Sequence, residues 1–165
     1  MKTIFMFGNR DLPSKVWRSI FDAVEEIIEE SKGEPLRFIV GHRGRFDATA
    51  AVVLSALRAE YSQIKLLRLI AYYEPTKKRL LWEEYDDTYY PEGLETVPKR
   101  YAIVKANNLV VDSCDAVICY ARREGSNAYK LMRRALRRNI PVVNLADHSR
   151  YKKKTAEPVG SAVLV

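Results

Sequence analysis

Apolar residues recur at two distinct spacings along the first part of the chain. Residues 3–7 (TIFMF) are continuously apolar and end at Gly8, which predicts a short buried strand. Residues 11–33 then place apolar side chains at i, i+3, i+4 and i+7, the spacing of an amphipathic helix, and Gly33 supplies the stop signal. The pattern therefore predicts a strand followed directly by a helix.

The alternation of predicted strands and helices continues to residue 145. Further strands are predicted at residues 36–40, 64–73, 115–121 and 141–145, and further helices at residues 47–60, 99–113 and 126–139. Strands that alternate with helices of this length predict a parallel sheet of the α/β class. Residues 74–98 are polar, aromatic and irregular, and a connection of this length in a compact domain is usually functional or partly helical.

Length and composition indicate one domain. With 165 residues, of which 47% are hydrophobic, the chain can bury a core but is too short for two ordinary domains. We expect the domain at residues 1–147, followed at 148–165 by a basic tail or an extra edge element. No apolar run approaches the roughly 20 residues of a membrane span, and the first run breaks too early for a secretory signal. We expect a soluble, cytoplasmic protein without a membrane partner.

Cysteine and histidine usage bears on metal and redox chemistry. Cys114 and Cys119 flank the segment DAVI, where a strand would hold them apart, so they are predicted to be core residues and not a disulfide. His42 and His148 are the only histidines, which argues against a structural zinc site. We predict neither a bound metal nor a cofactor.

The charge balance favours anionic partners. Lysine and arginine outnumber aspartate and glutamate by 28 to 21, a formal net charge of +7 that suits nucleotides or nucleic acid. Part of the excess lies on one side of the helix predicted at 126–139, at Arg133, Arg134, Arg137 and Arg138. This arginine stripe has the spacing of a phosphate-backbone footprint, and a solvated outer face has the same spacing.

Three predicted strand ends carry residues suited to an anion. They are residues 8–11 (GNRD), 41–44 (GHRG, with His42 and Arg43) and 122–127 (RREGSN). The carboxyl ends of parallel strands meet at one edge of a sheet, where ligands bind. Glycine permits close backbone approach, and a helix that follows at once directs unpaired amides and the positive end of its dipole at the site. The spacing matches neither a Walker loop nor the G-x-G-x-x-G fingerprint.

Several nearby residues have more than one interpretation. Asp47, at the start of the second predicted helix, is either its N-cap or a ligand contact. His42 is a general base, a hydrogen-bond donor or a solvated side chain. A set of tyrosines would either stack on a base or pack in the core: Tyr72, Tyr73, Tyr85, Tyr89 and Tyr90.

Longer motifs carry a resemblance to a known superfamily. FGNRD after the first strand, GHRGRFD after the second, YDDTYYPEGLETVPKRYAIVKANNLVVDSCDAVICY and GSNAYKLMRRALRRNIPVVNL occur in this order. The chain thereby resembles the SLOG superfamily, which includes the DNA-processing A proteins and the lysine-decarboxylase-like cytokinin-activating enzymes. The resemblance covers residues 1–147 and is closest to small stand-alone bacterial and phage members of unassigned function. It implies a three-layer Rossmann-like sandwich whose mainly parallel sheet has about five strands in the order 3-2-1-4-5.

The resemblance also implies a nucleotide or nucleotide-derived ligand. Carried over by position, the binding residues are Gly8, Asn9, Arg10, Gly41, Gly44, Phe46, Asp47, Arg100, Asn107, Gly125, Ser126 and Asn127. Recognition would use backbone amides and bidentate arginine contacts to phosphate. The cytokinin-activating enzymes carry a P-G-G-x-G-T-x-x-E turn, whereas the matching stretch REGSNAYKLM has one glycine and no glutamate in the first helical turn. This difference argues against hydrolysis by their route.

Together these observations predict a nucleotide-binding or nucleotide-sensing protein, with a homodimer left open. One alternative is an N-glycosidase or phosphoribohydrolase that uses Asp47, Glu74 or Asp86 as its carboxylate. The other is a single-stranded nucleic-acid binding protein that uses the arginine stripe and the basic tail.

Overall fold

The computed structural model describes residues 1–72 and 85–147. The strands are β1 (Lys2–Gly8), β2 (Leu36–Val40), β3 (Ile64–Leu69), β4 (Asp87–Tyr89), β5 (Ala116–Tyr120) and β6 (Val142–Asn144). The helices of these ranges are α1 (Val16–Glu30), α2 (Arg45–Glu60), α3 (Lys99–Ser113) and α4 (Asn127–Arg137). Strands and helices alternate along most of the chain, as the apolar spacing predicts.

The sheet forms the middle of three layers. Successive residues of a strand face opposite sides of the sheet. Ile4 and Met6 of β1 pack with α1 and α2 in one apolar cluster, whereas Phe5 and Phe7 pack with α3 and α4 in another. Because both faces are covered, the strands are apolar on both sides, which is why their sequences are nearly continuous hydrophobic runs.

The strand order places a crevice at the centre of the sheet. The order is β4-β3-β2-β1-β5-β6, and every neighbouring pair is parallel. The five strands predicted from the sequence occur in the predicted order, as β3-β2-β1-β5-β6, and the Rossmann-like α/β sandwich is confirmed. The winding reverses at β1, which pairs with β2 on one side and with β5 on the other. Ligands bind outside the carboxyl ends of the strands at such a reversal.

The structure differs from the sequence prediction at two strands and at the start of one helix. The sixth strand, β4, was not predicted, because three residues (DTY) are too few to show an alternating pattern; its Asp87 pairs with Leu67 of β3. The predicted third strand is shorter than expected and ends at Leu69. Helix α2 begins at Arg45, two residues before its expected start. Residues 85–98 of the predicted 74–98 loop are described, and they contain β4.

Other expectations concern single residues and the chain as a whole. Cys114 and Cys119 are buried free thiols, as expected of core residues. In the described ranges no helix is long and apolar enough to cross a membrane. Those ranges also contain no cluster of histidine, cysteine, aspartate and glutamate side chains arranged to hold a metal ion. The predicted tail at 148–165 lies outside the described residues.

Candidate functional site

A cavity of about 720 Å³ opens at the carboxyl ends of β1, β2 and β5. All three strand-end turns identified in the sequence contribute to its lining, together with residues of α3 and α4. The predicted binding residues that line it are Gly8, Asn9, Arg10, Gly41, Arg43, Gly44, Phe46, Asp47, Asn107, Gly125, Ser126 and Asn127. Residues far apart in the sequence are therefore brought to one place by the strand order.

Two predicted residues lie elsewhere. His42 lines an adjoining cavity of about 90 Å³, and its Nδ1 lies 3.2 Å from the carbonyl oxygen of Leu69. Arg100, in the first turn of α3, lines neither cavity; its guanidinium group lies 4.8 Å from the ring centroid of Tyr101. The structure thus places Arg100 away from the ring of residues to which the resemblance assigns it.

Close packing requires two glycines of the site. A Cβ atom at Gly8 would lie 2.6 Å from the ring of Phe46, which is buried beneath the cavity. A Cβ atom at Gly41 would lie 2.6 Å from Oδ2 of Asp47. Both distances are far shorter than van der Waals contact, so these glycines let α2 approach the strand ends.

The other two glycines of the cavity have a different environment. A Cβ atom at Gly44 or Gly125 would meet no described atom within 4 Å, and neither residue has a positive φ. Neither packing nor backbone conformation therefore requires glycine there. Because both residues line the cavity, the missing side chains leave open space and access to the backbone amides.

Helix ends and arginines make the cavity electropositive. The first-turn N–H groups of a helix have no intrahelical partner, and Gly44, the N-cap of α2, offers no side chain to pair with them. The positive end of the α2 dipole also points toward the cavity. Arg10, Arg43 and Arg123 line the same cavity, and Asp47 is the one acidic residue among its described lining residues. The arrangement is suited to an anion.

Asn9 joins the end of β1 to the loop after β5. It is only 5% exposed, and its N–H donates to the carbonyl of Tyr120 at 2.8 Å. Its Oδ1 accepts a hydrogen bond from the N–H of Arg122 at 2.7 Å, and its Nδ2 donates to Oγ of Ser126 at 2.8 Å. The amide of Asn9 thereby fixes the loop that carries Gly125, so the structure gives Asn9 a positioning role.

Ser126 is also committed to protein contacts. Its Oγ accepts from the N–H of Tyr129 at 3.2 Å, which makes Ser126 the N-cap of α4. The same hydroxyl donates to the carbonyl of Arg123 at 2.7 Å. With the bond from Asn9, both the donor and the acceptor capacity of the hydroxyl are used.

Asp47 does not cap α2, and that interpretation is wrong, because the N-cap is Gly44. Its Oδ2 instead accepts a hydrogen bond from the backbone N–H of Arg43 at 3.1 Å. Burial raises the pKa of Asp47 to about 6, and the backbone hydrogen bond and positive charge of Arg43 oppose that rise. The carboxyl group lies in the wall that the two cavities share.

Tyr72 holds the side chain of Arg43. Nη2 of Arg43 donates to the hydroxyl oxygen of Tyr72, and the guanidinium carbon lies 5.2 Å from the ring centroid. The ammonium group of Lys99 lies 4.6 Å from the same centroid. A positive rim thus continues from the large cavity toward the end of β3.

The remaining tyrosines of the predicted set are dispersed. Tyr85 donates from its hydroxyl to the carbonyl of Gly41 at 3.3 Å, whereas Tyr89 packs against the core beneath Arg37. Tyr90 is exposed at the surface, and Tyr73 lies outside the described residues. Among the described tyrosines of this set, Tyr72 and Tyr85 therefore contact the cavity residues through their hydroxyl groups.

Asp86, one of the proposed catalytic carboxylates, is not brought to the cavity. Oδ2 of Asp86 accepts from the N–H of Leu66 at 2.8 Å and lies 2.9 Å from Nη1 of Arg58. These contacts join β4 to β3 and α2, and Asp86 lines neither cavity. Glu74 lies outside the described residues.

The arginine stripe is divided by its contacts. Nε of Arg134 lies 2.7 Å from Asp112 of α3, and Nε of Arg138 lies 3.2 Å from the same carboxylate. Arg133 and Arg137 are exposed. Half of the stripe therefore ties α4 to α3, which leaves a narrower basic surface than the helical spacing suggests.

Some cavity residues were not among the predicted ones. Arg123 lines the cavity, although only its neighbours Gly125, Ser126 and Asn127 were assigned to the site. The floor is apolar and includes Phe5 and Leu131, whose sequence pattern shows only that they are buried. Arg123 could have been predicted, because it belongs to the strand-end segment RREGSN. The floor residues could not, because nothing in the sequence distinguishes them from other buried apolar residues.

Comparisons with known proteins support the fold. The chain is similar to a solved structure of DNA processing protein A from Helicobacter pylori, which was described for its single-stranded DNA binding mode. The TM-score is 0.55 at 14% sequence identity, over 92% of this chain and 73% of that chain. No protein-family model matches the sequence, and no curated protein matches it. At this identity the likeness shows a shared Rossmann-like fold.

We expect Gly8→Ala to lower the free energy of unfolding by about 2 kcal/mol, because its Cβ would overlap the buried ring of Phe46. Gly125→Ala is the matched control and is expected to change stability by less than about 0.5 kcal/mol, since its Cβ would meet open space. Urea unfolding followed by circular dichroism measures both. Equal losses in the two variants would contradict the packing role of Gly8.

The raised pKa of Asp47 predicts a pH-dependent stability in the ligand-free protein. The folded carboxyl binds a proton more tightly than the unfolded one, so its contribution is present below the ordinary pKa and is lost as pH rises through about 6. Asp47→Asn should be more stable than the wild type by about 3 kcal/mol at pH 8 and equally stable at pH 3, below the ordinary pKa of the carboxyl group.

Urea unfolding at both pH values measures this difference. Glu92→Gln removes an exposed carboxylate and should change stability by less than about 0.5 kcal/mol at either pH. A constant difference between Asp47→Asn and the wild type across pH would rule out burial of an ionised carboxylate as its cause.

Proposed function

We propose that the protein binds a nucleotide or nucleotide-derived ligand in the large cavity, with its phosphate at the start of α2. The observation that carries the proposal is the pair Gly44 and Gly125. Both line the cavity and both lack a structural reason to be glycine, which fits a phosphate that approaches the backbone there. Arg10, Arg43 and Arg123 supply the matching positive charge.

The size and position of the cavity support this proposal. Its volume of about 720 Å³ falls within the range of ordinary small-molecule sites. It lies where the winding of the sheet reverses, which is the general ligand position in open α/β sheets. An apolar floor with a polar, positively charged rim suits a molecule with a ring system at one end and an anion at the other.

We also propose that the chain belongs to the SLOG superfamily. Two observations support this: the glycine-containing motifs after β1, β2 and β5 lie at one cavity, and the fold is similar to that of a DNA processing protein A. Binding without turnover is the form that we propose, because of the two candidate carboxylates in the described ranges, Asp47 lines the cavity and Asp86 does not.

We expect at least one of a panel of nucleoside mono-, di- and cyclic phosphates and ADP-ribose to raise the melting temperature by several degrees, since a ligand that binds only the folded state stabilises it. Arg123→Ala should reduce this response, whereas Arg137→Ala, which changes an exposed arginine outside the cavity, should not. Differential scanning fluorimetry measures the response. No shift with any of these ligands in a folded protein would contradict the proposal.

The same incubations distinguish binding from hydrolysis. Chromatography of the nucleotides after incubation is expected to recover them intact. Release of free base that Asp47→Asn abolishes would favour the N-glycosidase alternative over the proposed binding function.

A second candidate function is binding of single-stranded nucleic acid. The observation in its favour is that the basic rim is exposed: Arg10, Arg43 and Arg123 are all open to solvent at the cavity. The net charge of +7 and the fold shared with a DNA processing protein A agree with it. Phosphates of a strand would then use the same amides and arginines as a free nucleotide.

This second candidate predicts an affinity for a fluorescent oligothymidylate that falls steeply with salt, because each neutralised phosphate releases counterions. Arg10→Glu and Arg123→Glu should each weaken binding by about tenfold or more. A loss of affinity in Arg133→Glu or Arg137→Glu would show that the exposed arginines of the stripe also contact the strand. Fluorescence anisotropy at several salt concentrations measures this. An affinity that does not depend on salt would exclude the second candidate.

A further inference from the structure

The cavity that is suited to anions also holds a carboxylate in a fixed orientation. Oδ2 of Asp47 accepts a hydrogen bond from the N–H of Arg43 at 3.1 Å. The same oxygen packs against Gly41, where a Cβ atom would lie only 2.6 Å from it. In the described part of the chain, Oδ1 accepts no hydrogen bond. Among the described residues, one carboxyl oxygen is therefore held by the protein, and the other is left available to a ligand.

This carboxylate is unfavourable for a simple anion. A negative charge beside a bound phosphate repels it, and the partly buried carboxylate has itself lost part of its hydration. The free-energy cost of this carboxylate is offset only if the ligand donates hydrogen bonds to the carboxylate oxygens, since hydrogen bonds to a charged acceptor are stronger than those between neutral groups. The ligand that fits this cavity thus carries hydrogen-bond donors as well as an anionic group.

The position of Asp47 restricts where these donors lie in the ligand. Asp47 is the third residue of α2, within one helical turn, about 5.4 Å, of the first-turn amides. The donors therefore belong to the part of the ligand that is attached directly to the phosphate. In a nucleotide that part is the sugar, whereas the base lies further away.

Asn107 provides the complementary group. This half-buried residue of α3 lines both cavities with Asp47, and within the described residues its side-chain amide makes no hydrogen bond. A carboxylate only accepts hydrogen bonds, but an amide both donates and accepts them. Adjacent hydroxyl groups also do both, so together the two side chains match a vicinal diol.

We propose that Asp47 and Asn107 recognise the hydroxyl groups of a 5′-phosphorylated ribose, and that Asp47 discriminates ribose from 2′-deoxyribose. This inference rests on the proposed nucleotide-binding function and specifies its ligand class. It places the phosphate on the α2 amides, the sugar at the wall shared by the two cavities, and any base beyond it.

Isothermal titration of the full chain with base-free probes tests the inference directly. The wild type is expected to bind ribose 5-phosphate at least about tenfold more tightly than 2-deoxyribose 5-phosphate, because the deoxy sugar leaves the carboxylate without a partner. AMP and 2′-deoxy-AMP should differ in the same direction. Inorganic phosphate reports the anion subsite alone.

Variants of the two residues separate recognition of the sugar from recognition of phosphate. Asp47→Asn should reduce the preference for ribose to within about twofold and should bind inorganic phosphate at least as tightly as the wild type, because the repelling charge is gone. Asn107→Ala should weaken binding of ribose 5-phosphate about fivefold or more without changing that of inorganic phosphate. Asn108→Ala, its neighbour on α3 outside both cavities, is the matched control.

The outcomes distinguish this inference from the proposed function. Equal affinity of the wild type for ribose and 2-deoxyribose 5-phosphates would overturn the inference and leave nucleotide binding intact. Absence of binding to every probe, inorganic phosphate and AMP included, would overturn both. If Asp47→Asn does not fold by circular dichroism, the comparison of Asn107→Ala with Asn108→Ala decides, and equal affinities in that pair would also overturn the inference.

Discussion

The candidate site depends on the hydrogen bonds of one buried amide, Asn9. The reversal of the sheet places β1 beside β5, so the turns after these strands meet. A buried amide is costly unless its polar atoms are paired, and Asn9 pairs with Tyr120, Arg122 and Ser126. These bonds hold the loop after β5 against the end of β1. Gly125 and the start of α4 lie at the cavity because this loop is fixed.

The approach of α2 to the sheet is the second constraint. Gly8 and Gly41 lack the Cβ atoms that would collide with Phe46 and Asp47, so the first turn of α2 lies directly over the strand ends. The same approach that brings unpaired amides to the cavity also buries the carboxyl group of Asp47. One packing feature thus produces both the anion-binding character of the cavity and the placement of an acidic group in its wall.

Two aspartates show how the environment assigns different roles to the same residue type. Hydrogen bonds from Arg134, together with the nearby charges of Arg134 and Arg138, hold the pKa of Asp112 below its ordinary value, and its contacts join α3 to α4. Burial without a full ion pair raises the pKa of Asp47. A carboxylate that is paired stabilises the fold, whereas one held in a cavity at a raised pKa is typical of a functional position.

The sequence by itself determined the alternation of strands and helices and the three strand-end turns, because apolar spacing and strand-end glycines are local signals. The order of five strands and the cavity residues outside those turns followed from the resemblance to the SLOG superfamily. The sequence did not predict β4, whose three residues form a strand only through pairing with β3. Helical spacing also could not show that Arg134 and Arg138 pair with Asp112, nor that Arg100 lies outside the cavity. Only the tertiary structure decided these points, and the orientation of Asp47, because they depend on contacts between elements. The bond from Asn9 to Ser126 spans 117 residues of sequence, and no local pattern records such a contact.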